Sequence, residues 1–154
     1  NIAYGCPSVS LEQIKDIAKL SEAHNFISEM PEGYDTIVGE RGVGLSGGQR
    51  QRISLARALI TNPSILILDD TTSAVDMETE FKIQQEVNLN NPNRTNFIIA
   101  HRISSVKSAD LILVLENGRI IESGTHDSLV KNKGYYYEVY KTQFGDFNVS
   151  KEAI

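Results

Sequence analysis

The sequence predicts an α/β protein: a helical first third, a parallel-sheet layer, and a closing hairpin followed by helices. Three observations carry that prediction. Two short strand-like stretches, the apolar run Ile65 to Leu68 and NFIIA, Asn96 to Ala100, apolar from Phe97 on, flank a helical stretch, the pattern of strand, crossover helix and parallel strand. Apolar residues recur at helical spacing before them, and Asn117-Gly118 joins two β-rich runs after them.

The elements follow in order. Leu11, Ile14, Ile17 and Ala18 lie on one helical face behind a Ser10 N-cap, and a second helix runs from Glu22 toward Glu29. Pro31 and Gly33 break that pattern, and the glycine-dense stretch Val38 to Gln49 is a loop feeding an amphipathic helix, QRQRISLARALITN, that stops at Pro63. The run from Ile65 has no polar interruption, which predicts a strand covered on both faces. A helix over Met77 to Leu89 leads to the second strand. The Asn117-Gly118 pair supplies the positive φ that a tight hairpin turn demands at both central positions. Thr125 to Phe144 is predicted helical with a tyrosine-rich face, Tyr135, Tyr136, Tyr137 and Tyr140. The division is residues 1–45, helical; residues 46–145, the α/β core; and residues 146–154, a loose tail.

Composition bounds the function. With 154 residues, 40% of them apolar, the chain has about one domain's worth of sequence and enough for a core. A net charge of -5 offers no basic field for nucleic acid, which is excluded as a partner. Cys6, the single cysteine, cannot form an internal disulfide. No apolar run approaches the roughly 20 residues of a membrane helix. The chain begins at Asn1 and its methionines are Met30 and Met77, the expectation for a piece of a longer polypeptide.

Three short stretches bear chemistry. Leu45 to Gln49, LSGGQ, opens a helix, where free amides and the macrodipole favour phosphate oxygens. Alone it reads more readily as a plain junction capped by Ser46. Asp69 and Asp70 end a buried strand, the place where ligands bind in open α/β sheets. Alone they are two solvated acids. His101 follows the second strand, and beside the other two stretches it suits a polar contact to a terminal phosphate. His24 and His126 are read as surface or capping residues.

Taken together, LSGGQRQR, a strand ending in LILDD, TTSAVD and IIAH resemble, in this order, the nucleotide-binding domain of ABC transporters. The resemblance covers nearly the whole chain. It implies a P-loop NTPase-like parallel sheet lacking its Walker A half, with residues 1–45 part of the helical subdomain. It makes Leu45 to Gln49 the signature motif, Ile65 to Asp69 the Walker B strand, Ser73 to Asp76 the D-loop and His101 the H-switch. The implied chemistry is ATP hydrolysis, with Asp69 near Mg²⁺, Asp70 and His101 as catalytic groups, Ser46, Gly47, Gly48 and Gln49 contacting ATP in a partner's site, and Ser73 and Asp76 of the D-loop serving nucleotide binding. NIAYG, PEGYDTIVGERG and GTHDSLVKNKGYYYEVYKTQF resemble the exporter type. That implies a transmembrane domain on the same polypeptide near Val38–Gly42, a second nucleotide-binding domain as partner, and a place at the cytoplasmic face of the membrane.

Two departures shape the expectation. No GxxxxGK[ST] phosphate loop occurs, so this chain alone is expected to bind ATP poorly and to be inactive. Where the family usually has a glutamate, Asp70 is one methylene shorter, which sets its carboxylate back by on the order of 1 Å. With an intact signature, that resembles the degenerate-site half of a heterodimeric exporter, a homodimer being the other arrangement. The alternative is a nucleotide-gated dimerisation module with little hydrolysis.

Overall fold

In the computed structural model the described residues are 1–145, apart from the Arg41 side chain; the predicted loose tail, residues 146–154, lies outside them. The chain divides into two compact units, Asn1–Ile99 and the part from Ala100 onward.

In the first unit, α1 (Leu11–Leu20) starts on Ser10, whose hydroxyl accepts from the Gln13 amide while the Gln13 side chain accepts from the Ser10 amide. Each satisfies a group the helix itself leaves unpaired. After α2 (His24–Ser28) the chain passes through short turns to α3 (Gly47–Leu59), then β1 (Ile65–Asp69), α4 (Met77–Asn90) and β2 (Thr95–Ile99). β1 and β2 pair in parallel with Asp69 opposite Ile99, so both strands end at one edge.

The unit is organised around α3, which is buried on two faces. Ile53, Ala56 and Ile60 pack with Ile2, Ala18, Ala23 and Ile27 of the helical part. Leu55 and Leu59 pack instead with Leu66 and Leu68 of β1 and with Ile83 and Val87 of α4. Spacings of three and four place each set on its own stripe. One helix thereby fixes the helical segment against the sheet layer, with each fully buried Leu, Ile or Val side chain contributing about 1.5–3 kcal/mol.

The expectation of a first strand covered on both faces does not hold. β1 alternates in burial and is covered on one face only. Leu66 and Leu68 point to the helices, whereas Ile65, Ile67, Phe97 and Ile99 are 60, 65, 56 and 55% exposed on the other side. The unbroken apolar run is composed for two covers, and the described residues supply one layer of helices, α3 and α4.

The second unit contains α5 (Ile103–Val106), the antiparallel pair β3 (Ile112–Glu116) and β4 (Arg119–Gly124), α6 (His126–Asn132) and α7 (Tyr135–Phe144). The hairpin turns at Asn117 and Gly118 with φ of 48° and 75°, as the Asn-Gly pair predicts. Ile103, Ile112, Leu129 and Tyr136 form its core. Glu122 of β4 accepts the Tyr135 and Tyr136 amides with its two carboxylate oxygens, both at 2.8 Å. This pins the start of α7, where a negative charge also favours the helix dipole. A Cβ on Gly134 would overlap the Glu122 carboxylate, so a larger residue there displaces that side chain from the two amides.

His126 differs from its expected surface or capping role. Thr125 caps α6, and the His126 ring lies half-buried among aromatics, with Nδ1 2.9 Å from the Tyr136 hydroxyl and its ring edge-on to Tyr140. Burial, aided by the Lys107 charge, holds its pKa below the ordinary value, against a smaller opposing effect of Asp127. A histidine with a lowered native pKa takes up protons more readily when unfolded. Stability is therefore complete above about pH 6.5 and falls as pH drops from there toward the native pKa. Urea midpoints measured from pH 7.5 to 5 are expected to fall on acidification, and His126→Gln to flatten that slope. An equal slope in the variant assigns the effect to other groups.

Candidate functional site

The candidate site lies where β1 ends and α3 begins. Asp69 closes β1 with its side chain exposed. Asp70 follows in the left-handed region, φ 48°, which aspartate tolerates better than most residues. Its amide donates to the Ile99 carbonyl at 3.0 Å, holding the turn to β2. Its own carbonyl accepts from the Ser73 amide at 3.3 Å and the Ser73 hydroxyl at 3.0 Å. The turn is thus fixed by its backbone, and the Asp70 carboxylate stands exposed.

The residues that follow are occupied in holding their own loop. Thr72 donates its hydroxyl to buried Glu80 at 2.7 Å. Asp76 caps α4: its carboxylate accepts the Thr79 amide at 2.9 Å and the Thr79 hydroxyl at 2.8 Å. Those bonds, the amide first, hold its pKa below the usual carboxylate value. The cap's contribution to stability is therefore full above the usual carboxylate value and is lost as pH falls from there through the lowered native value. Ser73 and Asp76, both expected to serve a nucleotide site, make these contacts within the chain.

Against this loop sits the N-terminus of α3. Ser46 and Gln49 form a reciprocal box, with the Gln49 side chain accepting the Ser46 amide at 2.8 Å and the Ser46 hydroxyl accepting the Gln49 amide at 3.2 Å. The Gly47 and Gly48 amides belong to the first turn, where no intrahelical acceptor is in reach. A Cβ on Gly48 would lie 2.8 Å from the Ala74 carbonyl oxygen, and one on Gly47 3.4 Å from the Ala74 Cβ. Gly48 therefore serves a close approach of two backbones, a reason independent of any ligand.

Val38–Gly42 leads into this helix from the solvent side. Gly42 is left-handed, φ 76°, and a Cβ on it would meet the Arg50 side chain; the Arg50 guanidinium donates to the Leu45 carbonyl at 2.7 Å. His101 belongs to the second unit and is exposed. Its backbone is strapped by Gln143 of α7, which donates to the His101 carbonyl at 2.7 Å and accepts the Ile103 amide at 2.9 Å. Gln143 gave no signal in the sequence, because side-chain-to-backbone bonds across 42 residues leave no local pattern.

Among the described residues no group of three or more His, Cys, Asp or Glu side chains forms a cage for a metal. Two adjacent exposed carboxylates, Asp69 and Asp70, match instead the partial donor set of Mg²⁺ sites that are completed by water and substrate phosphates. No helix among the described residues is long and apolar enough to cross a membrane.

Residues 7–73 match the family model described as ABC transporter. The chain is 57% identical over 152 residues to an uncharacterized ABC transporter ATP-binding protein of Bacillus subtilis, YknU, covering 99% of this chain and 26% of that protein. It is 50% identical over 143 residues to a putative multidrug export ATP-binding/permease protein of Staphylococcus aureus, covering 93% of this chain and 25% of the relative. Among solved structures, a bacterial Atm1-family ABC exporter with ATP bound superposes with a TM-score of 0.90 at 42% identity, covering 94% of this chain and 26% of that one. The chain therefore spans about a quarter of the length of the curated relatives it matches.

Proposed function

The chain belongs to the ABC transporter family, and we propose that it forms the signature-to-C-terminal part of an exporter's ATPase domain, coupling ATP hydrolysis to transport. The observation that carries this is the seating of the Asp70–Asp76 loop on the N-terminus of α3. That seating supports the reading because it joins the glycine-rich start of α3, suited to phosphate oxygens, to the loop that carries the acidic pair. The names and lengths of the relatives support a longer polypeptide that includes a permease part; in this reading the segment lies at the cytoplasmic face, and the transmembrane part meets it near Val38–Gly42 by the resemblance of that loop to the exporter type.

In this reading water attacks the γ-phosphorus of ATP in line with the departing ADP oxygen. Asp69 holds Mg²⁺, which when bound neutralises charge on the phosphate oxygens. Asp70 accepts a hydrogen bond from the attacking water, and His101 contacts the terminal phosphate. The Ser46 hydroxyl and the Gly47 and Gly48 amides face a nucleotide carried by a second nucleotide-binding domain, with Gln49 keeping that helix end in shape. Ser73 and Asp76 keep the intervening loop in register. Since the sequence has no phosphate loop of its own, the chain in isolation has little affinity for ATP.

The shorter reach of Asp70 supports a pair of unequal sites, with this chain as the weaker half and its signature completing the stronger one. The test is phosphate release by the full-length polypeptide with its partner. Mg²⁺-dependent turnover is expected, and Asp69→Asn should lower phosphate release by at least about tenfold with the thermal midpoint unchanged. Tight ATP-dependent dimerisation without phosphate release favours a regulatory clamp instead.

A further inference from the structure

Gln51 lies on α3 two residues beyond the LSGGQ stretch, and its side chain has no part in the chemistry described above. It nonetheless makes three hydrogen bonds to one loop. Its amide nitrogen donates to the Ser73 hydroxyl at 3.0 Å and to the Asp70 carbonyl at 3.3 Å. Its amide oxygen accepts from the Ala74 backbone amide at 3.0 Å. A primary amide is suited to this because it donates and accepts from one planar group. The Ser73 hydroxyl donates onward to the same Asp70 carbonyl, closing a small ring of bonds around the peptide that follows Asp70.

The position of that peptide matters. Asp70 is left-handed, φ 48°, so the direction of its carboxylate depends on a backbone conformation that its neighbours must hold. The same loop presses on α3 at Gly48, where the Ala74 carbonyl approaches. Gln51 sits one helical turn along from Gly47 and Gly48, so the helix end that faces a partner's nucleotide and the loop that aims Asp70 are joined through one side chain.

We propose that Gln51 is a positioning residue that locks the Asp70–Ala74 loop to α3, setting the direction of the Asp70 carboxylate and tying it to the position of the signature helix end. The proposal rests on the reading of the preceding section for its catalytic consequence, and on geometry alone for the lock itself. Removal of the lock leaves both helices and the strand with their packing, since none of the buried clusters includes Gln51. Its effect therefore falls on turnover rather than on folding or nucleotide affinity.

The experiment uses the full-length polypeptide with its partner and compares wild type with Gln51→Leu, Ser73→Ala and the double variant. Gln51→Leu is expected to lower kcat about tenfold while KM for ATP stays within about twofold and the thermal midpoint holds. Amide exchange at Ala74 should rise several-fold without a rise in α1 or α4. In the double variant the kcat losses should fall short of the product of the single losses, because both act on one ring of bonds. An unchanged kcat, an unchanged Ala74 exchange rate, or a change in KM alone overturns the proposal. Should Gln51→Leu misfold, Gln51→Asn, which keeps the amide but withdraws it by a methylene, gives the same readouts. A wild type that hydrolyses no ATP refutes the functional reading instead, and the exchange measurement then decides the lock by itself.

Discussion

In the full-length polypeptide, Asp70→Glu is expected to raise ATP turnover at the site that Asp70 serves, by up to about a hundredfold. The extra methylene returns a carboxylate oxygen by on the order of 1 Å toward the position from which it can orient water, and displacements of that size cost about that factor when geometry sets the rate. A hundredfold is about 2.7 kcal/mol of barrier. The opposing cost is local: Asp70 occupies a left-handed backbone position, where glutamate lacks the short side chain that eases such a conformation, a penalty of up to about 1 kcal/mol of stability. That penalty falls on the melting midpoint and leaves the rate gain intact while the domain stays folded, and the bonds on the Asp70 carbonyl keep the backbone where it is. Phosphate release and a melting curve together check both halves. Unequal sites add a second expectation: removing the corresponding acid of the partner domain abolishes most turnover in the native pair. Turnover that survives that removal sinks the unequal-site reading.

Gly48→Ala should be damaging although alanine is the better helix former. Replacing a helical glycine by alanine ordinarily gains about 1 kcal/mol. Here the new Cβ would sit 2.8 Å from the Ala74 carbonyl oxygen, and a backbone atom cannot rotate aside. The loop or the helix must shift, which costs about 1–3 kcal/mol as overpacking does and opens the bonds made by Gln51. A lower thermal midpoint and a loss of turnover on the order of tenfold to a hundredfold are expected together. Gly47→Ala is the control: its Cβ would make an ordinary 3.4 Å contact, so the midpoint holds and any lost activity reports on nucleotide contact instead. Equal midpoints for the two variants remove close packing as the reason for Gly48.

Local chemistry made much of this fold readable. The Ser10 and Ser46 caps, the Asn-Gly turn and the strand, helix, strand succession are each written within a few residues, because the groups that satisfy one another are neighbours in sequence. The parallel pairing followed from the apolar runs, and the motif order pointed to the family before any geometry. What escaped was non-local. Gln51 reaches residues 19 to 23 positions away, Glu122 pins a helix 13 positions on, and Gln143 straps a loop 42 positions back. Polar side chains in helices or strands look solvated in a sequence, and their partners are backbone groups that any residue supplies. Burial of β1 was misjudged for a related reason: hydropathy records what a residue tolerates, and the cover depends on which layers are present.

The bare side of that small sheet sets how the chain behaves in concentrated solution. Ile65, Ile67, Phe97 and Ile99 form an oily strip on a molecule whose net charge of -5 otherwise keeps copies apart. Salt therefore acts twice in one direction: modest ionic strength screens the charge, and sulfate strengthens apolar association. Cooling works the other way, since the attraction between oily surfaces fades with falling temperature. A chilled, low-salt, chloride-based buffer is the condition in which this chain should stay dispersed, and warming in sulfate the one in which it should turn cloudy.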